Sequence, residues 1–200
     1  MTPARLAIPP GRAGRLWLVR RLAVARRGAD LLDRKLRILQ SELARLTDVT
    51  ARTGADWDTC QHAARTWLLR AAVTGGERAI RLADDGQLAD VQIGYATTIG
   101  IRYPATATAT MPAVSTWDSA ILARTRQAHQ AALAAAVQHA VATAAAARIS
   151  QEVRATQYRL RAVQDRWIPQ LEQALAEVTF AIEELERADM ARLRLATRSG

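Results

Sequence analysis

Apolar residues set the frame of this chain. Leu18, Leu22, Ala25, Ala29, Leu32, Leu36, Leu39, Leu43 and Leu46 recur at alternating steps of four and three. That is a heptad seam, the mark of a helix that packs along one edge against another helix. It predicts one helix over Ile8–Leu46, entered through the extended Ile8-Pro9-Pro10-Gly11, which cannot be helix interior. The same steps continue through Thr50, Thr53, Trp57, Cys60, Ala64, Trp67 and Ala71. Polar threonines and Gly54 thin the seam in Leu46–Ala55, so a bend or fray is expected there. Gly75-Gly76 is a natural helix stop.

The period then changes. A short helix is expected over Glu77–Asp84 and a turn at Asp84-Asp85-Gly86. Val91, Ile93 and Tyr95 alternate with polar or small residues, and so do Ile99, Ile101 and Tyr103. Period two with β-branched and aromatic residues predicts a β-hairpin, with Ala96-Thr97-Thr98 as its turn. An isolated two-stranded hairpin is marginal in water, so its apolar residues should lean on the helices or on a partner. Pro104–Pro112 reads as an Ala/Thr-rich loop.

Ser115-Thr116-Trp117-Asp118 fits a capping box and opens a second long helix. Its alanine-rich run carries Leu133, Val137 and Val141. Further on, Leu160, Val163, Trp167, Leu171, Val178, Ile182 and Leu185 mark the apolar side, and Pro169 should kink the helix near Arg166–Ile168. The pattern predicts a mainly α fold: a long antiparallel two-helix coiled coil with a small β-hairpin head between the helices. In chain order the parts are 1–75, the N-terminal extension and first coiled-coil helix; 76–114, the hairpin head and loop; and 115–200, the second helix and tail.

Composition agrees with that shape. Half of the residues are apolar but only 4% are aromatic, so alanine and leucine carry the apolar content. The net charge is +9, and it is uneven: residues 1–40 hold ten basic against two acidic side chains, whereas residues 151–200 hold eight of each. The single cysteine, Cys60, excludes an intramolecular disulfide and is compatible with a reducing cytosol. No signal peptide is visible. The longest uncharged stretch, Gln127–Ala147, is alanine-rich and interrupted by Gln130, Gln138 and His139, so no membrane span is expected.

Catalytic chemistry is not evident. The only lysine is Lys35, followed by Leu36, so the Gly-Lys-Ser/Thr of a phosphate-binding loop is missing. Cys60 and His62 are too few for a metal site, and His129 and His139 do not add to them. Neither a metal nor a cofactor is expected, and the chain reads as a non-catalytic mechanical or binding protein.

Two segments carry a resemblance. The first is Ile8-Pro9-Pro10-Gly11-Arg12 followed by Ala25, Gly28, Leu31, Leu32 and Lys35. The second contains Thr156, Arg159, Ile168, Pro169, Leu171 and Glu172, and the tail adds Glu184-Leu185-Glu186-Arg187 with Arg192-Leu193. In this order, around a hairpin, they resemble the central-stalk D-subunit family of V/A-type rotary ATPases. Gln157 and Tyr158 depart from it where arginines are usual.

The resemblance implies a rotor shaft, present as a single copy in a hetero-oligomer, that transmits torque between an A/B catalytic head and a membrane ring moving protons or sodium. It implies docking of the small F subunit at the hairpin end, a C-subunit socket, and a cytoplasmic position peripheral to the membrane. Pattern and resemblance together nominate as partner contacts Arg20, Arg26, Arg27, Lys35, Val91, Ile93, Tyr95, Ile99, Ile101, Tyr103, Thr156, Arg159 and Arg192.

Three other readings compete. A prefoldin-like chaperone would expose apolar helix tips, but these ends are rich in arginine. A nucleic-acid-binding rod would use the basic first helix, yet Arg15, Arg20, Arg21, Arg26, Arg27, Arg34 and Arg37 go around it and no exposed aromatics are expected beside them, so no direct nucleic-acid contact is expected. A generic coiled-coil scaffold fits the heptads alone.

Overall fold

The computed structural model describes residues 7–83, 86–112 and 119–198. The fold is mainly α. Helix α1 covers Gly11–Ala83, strands β1 and β2 cover Asp90–Thr98 and Ile101–Thr110, helix α2 covers Ala120–Arg161, a π-helical segment covers Ala162–Trp167, and helix α3 covers Ile168–Arg198. The chain forms two compact units. One joins Met1–Arg37 to Arg154–Gly200, and the other is Ile38–Val153.

The first seam is present. Leu18, Leu22, Ala25, Ala29, Leu36, Leu39 and Leu46 are buried, while Leu32 and Leu43 are half-buried. The expected bend over Leu46–Ala55 is absent: α1 is helical through it, and its single non-helical residue is Gly76 (φ 71°, ψ 167°). The threonines that thin the seam keep the helix instead. Thr47, Thr50 and Thr53 each donate a hydroxyl hydrogen bond to the carbonyl four residues back, at 2.8, 2.8 and 3.0 Å. Such bonds satisfy the hydroxyl within its own helix. The Gly75-Gly76 stop is met at Gly76, and helix resumes over Glu77–Ala83.

In the first unit, Leu18, Leu22 and Ala25 of α1 close a core with Leu171 of α3, flanked by Trp17, Trp167, Ile168, Leu175 and Val178. Two ion pairs cross between the helices, Arg12 to Glu186 at 2.6 Å and Arg26 to Glu172 at 2.7 Å. The step forward from Arg12 to Arg26 is matched by an equal step back from Glu186 to Glu172, so the pairing is antiparallel without slip.

Pro169 disturbs this unit in a specific way. A proline has no N–H and its ring clashes with the carbonyl four residues back, here Asp165. The chain widens into the π segment just before it, where the Ile168 N–H donates to the Val163 carbonyl, five residues back. The seam needs this extra residue too. Val153, Thr156, Leu160, Val163, Trp167, Leu171 and Leu175 are all at least half-buried, and Val163–Trp167–Leu171–Leu175 takes three steps of four in succession where a heptad alternates four, three, four. One residue too many for a heptad is absorbed by the wide turn. Deleting exposed Gln164 together with Pro169→Ala should therefore give a regular helix with the same inward face and raise the thermal midpoint of the unit. Pro169→Ala alone should gain less, because the extra residue remains. Circular dichroism melts of the two variants check this.

In the second unit, α1 and α2 also run antiparallel. Thr53 Oγ1 lies 3.3 Å from His139 Nδ1, and the Thr125 hydroxyl lies 3.1 Å from the Trp67 carbonyl. Trp57 stacks on the His139 ring at 5.5 Å between centroids. Gly54 leaves room for that ring: a Cβ there would meet His139 Cε1 at 3.3 Å. Val141, Ala142, Ala145 and Ile149 of α2 are buried, and the first three line one small cavity with Leu46 of α1 and Tyr103 of β2. The helical run Ala120–Thr197 contains an 18-residue window of mean hydropathy 1.3, long and apolar enough by length and composition to cross a bilayer, with 22% of it buried. The start of α2 differs in detail from expectation. Ser115–Asp118 lie outside the described residues, as do Asp84 and Asp85, and it is Ser119 whose hydroxyl accepts from the Leu122 N–H at 3.4 Å.

Candidate docking surface

The hairpin differs from the sequence expectation in its turn and its length. Thr98 pairs with Ile101, so the turn is Ile99-Gly100 and not Ala96-Thr97-Thr98. Both turn residues have positive φ, 48° and 76°, as a two-residue turn matched to strand twist requires. Strand β2 continues to Thr110 through Pro104–Thr110, the stretch expected to be a loop. Thr106, Thr108 and Thr110 supply β-branched residues at period two there. A bulge lies opposite the Gly94/Tyr95 step: Gly94 pairs with Thr106 and Tyr95 with Pro104, leaving Ala105 as the extra residue.

The two strands have different environments. Ile101, Tyr103 and Ala107 of β2 are 4, 5 and 6% exposed. Their anchoring is polar as well as apolar. The Tyr103 hydroxyl donates to Glu42 Oε1 on α1 at 2.8 Å, and Gln138 of α2 donates to the Ala107 carbonyl at 2.5 Å. Arg45 grips the same carboxylate with two hydrogen bonds, Nη2 to Oε1 at 2.7 Å and Nε to Oε2 at 3.0 Å. The Arg45 hydrogen bond, with help from Tyr103 and against a smaller opposing effect of burial, holds the Glu42 carboxyl below its ordinary value of 4.5. The same contact raises the Arg45 guanidinium.

A lowered carboxylate gives stability that is complete above the ordinary value and lost as pH falls through the lower, folded one. Protection of the Asp90–Thr110 amides, taken relative to their intrinsic exchange rate at each pH, should therefore fall below about pH 4.5. Glu42→Gln should show faster hairpin exchange at neutral pH and a weaker acid step. Identical profiles for the two proteins would show that the Glu42 contacts with Arg45 and Tyr103 do not hold the hairpin.

Strand β1 and the turn face outward. Val91, Ile93, Tyr95 and Ile99 are 41, 48, 54 and 41% exposed. The Arg102 guanidinium lies 4.2 Å from the centre of the Tyr95 ring, which leaves a cation–π pair on the surface. Ile99 stands out. A β-branched residue at positive φ is a steric outlier, costing on the order of 1–3 kcal/mol, where Asn or Gly would be free of strain. Here the strained residue also presents an aliphatic side chain to solvent.

The nominated residues sort into three groups. Val91, Ile93, Tyr95 and Ile99 form the exposed side of the hairpin. Ile101, Tyr103 and Thr156 are packed inside the chain, and the buried Thr156 hydroxyl has no hydrogen-bond partner among the described residues. The charged residues divide. Arg26 pairs with Glu172, and Arg192 pairs with Asp189 at 2.9 Å. Arg20, Arg27 and Arg159 are exposed, and Lys35 is half-buried. Sequence reasoning missed Glu42, Arg45 and Gln138, which carry the hairpin. Nothing in helical periodicity separates them from an ordinary wet face. Among the described residues no group of three or more His, Cys, Asp or Glu could hold a metal ion.

Comparison with known protein families finds a match along nearly the whole chain. The family described as the D subunit of ATP synthase matches residues 16–198. No curated protein matches the chain.

Proposed function

Because this chain belongs to the ATP synthase D-subunit family, the central-stalk subunits of V/A-type rotary ATPases, we propose that it is the rotor shaft that carries torque between an A/B catalytic head and a membrane ring. The observation that carries this reading is the extent of the family match, residues 16–198, which takes in both helix segments and the hairpin. The pairing within each unit supports it. Torque needs helices that cannot slide, and the matched ion pairs Arg12–Glu186 and Arg26–Glu172 accompany a leucine core. Several different exposed faces suit a part that meets three catalytic sites in turn, each favoured by different contacts.

On this reading the chain is present once per complex, works on the cytoplasmic side and does no chemistry itself. The outward face of the hairpin, Val91, Ile93, Tyr95 and Ile99, takes a small stalk partner of the F-subunit kind, and the complex stands on a C-subunit socket. Membrane attachment comes through that socket, and the alanine-rich part of α2 serves the core of the second unit.

The test is reconstitution. A complex of the A, B, C and F subunits with the membrane ring should hydrolyse ATP without pumping when this chain is left out, and adding it should restore ion transport. Pumping that does not depend on the chain would overturn the reading. The isolated chain should show no ATP turnover, checked by a phosphate-release assay across a range of its concentrations.

A further inference from the structure

The arginines of α1 in the first unit fall into two sets. Arg12 and Arg26 are paired with Glu186 and Glu172, Arg37 is paired with Asp33, and Arg21 lies over the Trp17 and Trp167 rings at 5.0 and 5.6 Å. With these set aside, Arg15, Arg20, Arg27 and Arg34 remain, exposed and with no ion pair to any described residue. Arg15 lines a groove with Thr179, Ile182, Glu183 and Glu186 of α3, and the other three stand one heptad apart along the helix. Leu16 precedes these three, and Val24 and Leu31 stand between them; the three aliphatics are 52, 60 and 64% exposed.

The order Leu16, Arg20, Val24, Arg27, Leu31, Arg34 advances by fours and threes. It is a second heptad line. At about 100° per residue it runs on the side of α1 opposite the buried Leu18, Leu22, Ala25 and Ala29. It extends about 27 Å, five turns of helix.

We propose that this outer face of α1 is a docking site for an acidic amphipathic helix of a partner protein. Each half of the pattern excludes other occupants. A face that is merely solvated gains nothing from three large aliphatic side chains at fixed spacing. A nucleic-acid site would use the cations but not the aliphatics between them. A second copy of this face would set arginines against arginines. A helix with aliphatic residues and Asp or Glu alternating at the same period fits both: its aliphatics fill the gaps beside Val24 and Leu31, and its carboxylates meet the guanidiniums. All three cations are arginines, whose planar fork binds a carboxylate through two hydrogen bonds. The inference uses only the surface of the first unit and stands whether or not the shaft reading does.

The experiment uses the full chain and fluorescence anisotropy. The probe is a synthetic helix of about four heptads with Glu and Leu at the matching positions. Controls are a peptide of the same composition in scrambled order and a duplex DNA of similar length. The expected result is that the patterned peptide binds, that the scrambled one binds about tenfold more weakly or worse, and that binding falls as salt rises. Arg20→Glu with Arg27→Glu and Arg34→Glu should abolish binding of the acidic peptide and create binding of a peptide with Lys in place of Glu. Leu16→Ser with Val24→Ser and Leu31→Ser should weaken the acidic peptide while leaving its salt dependence. All six positions are exposed, so both variants should keep the helical dichroism of the parent. Equal binding of patterned and scrambled peptides would reduce the face to bulk charge and overturn the proposal. So would duplex DNA displacing the peptide at equal concentration, or no loss in either triple variant.

Discussion

Leu171→Ala should cost the first unit roughly 3–5 kcal/mol, the upper part of the range for a fully buried leucine. Leu171 is 0% exposed and meets Leu18, also 0% exposed, with Leu22 and Ala25. Two features limit relaxation around the cavity. Pro169 and the π segment fix the backbone just before Leu171, and the Glu172–Arg26 pair fixes it just after. Two helices have no third layer to collapse into the gap. The loss should be local. Amide exchange should speed up in Gly11–Arg37 and across α3, while Asp90–Thr110 and the part of α2 around His139 keep their protection. The measurement is exchange mass spectrometry beside a denaturant titration. Equal loss of protection in both units would show that the two compact parts unfold as one.

Substitutions in the hairpin should separate folding from docking. Ile101→Asp places a charge at a site 4% exposed, and it should detach β2 from α1 and α2 at a cost of several kcal/mol. Partner binding should fail as a by-product. Val91→Ser with Ile93→Ser and Ile99→Asn acts on exposed residues. It should leave exchange in β2 unchanged or slower, since Asn at the turn relieves the positive-φ strain by about 1 kcal/mol. The same triple variant should no longer co-purify with the stalk partner. A hairpin variant more stable than its parent and deaf to the partner separates the two roles of the hairpin. If the triple variant co-purifies like the parent, the exposed face is not the contact.

The α1 seam is legible in the sequence because burial along a helix repeats every three or four residues, and each member from Leu18 to Leu46 is at least half-buried. The kink region is legible from Pro169. Its form as a wide turn is not, because that depends on how the residues between Val163 and Leu171 fit against α1. The hairpin turn is hidden because Ile99 is a poor residue for positive φ, so local propensity moves the turn toward Ala96–Thr98. Leu46–Ala55 reads as a bend because threonine and glycine are weak helix formers. Hydroxyl bonds back to the helix and the fit of His139 against Gly54 override that preference. The contact set is the least legible. Ile101 and Ile99 look alike in an alternating pattern, and only the anchoring of β2 to Glu42 and Gln138 decides which one faces out.

The π segment also bears on how this chain tolerates change in length. A residue gained or lost past Leu171 turns everything after it by about 100°, which carries Leu175, Val178 and Ile182 away from α1. The same loss within Ala162–Trp167 converts a wide turn into an ordinary one and leaves the later phase intact. Insertions and deletions among related chains should accordingly gather in this short stretch, and relatives one residue shorter there should lack a proline at the position of Pro169.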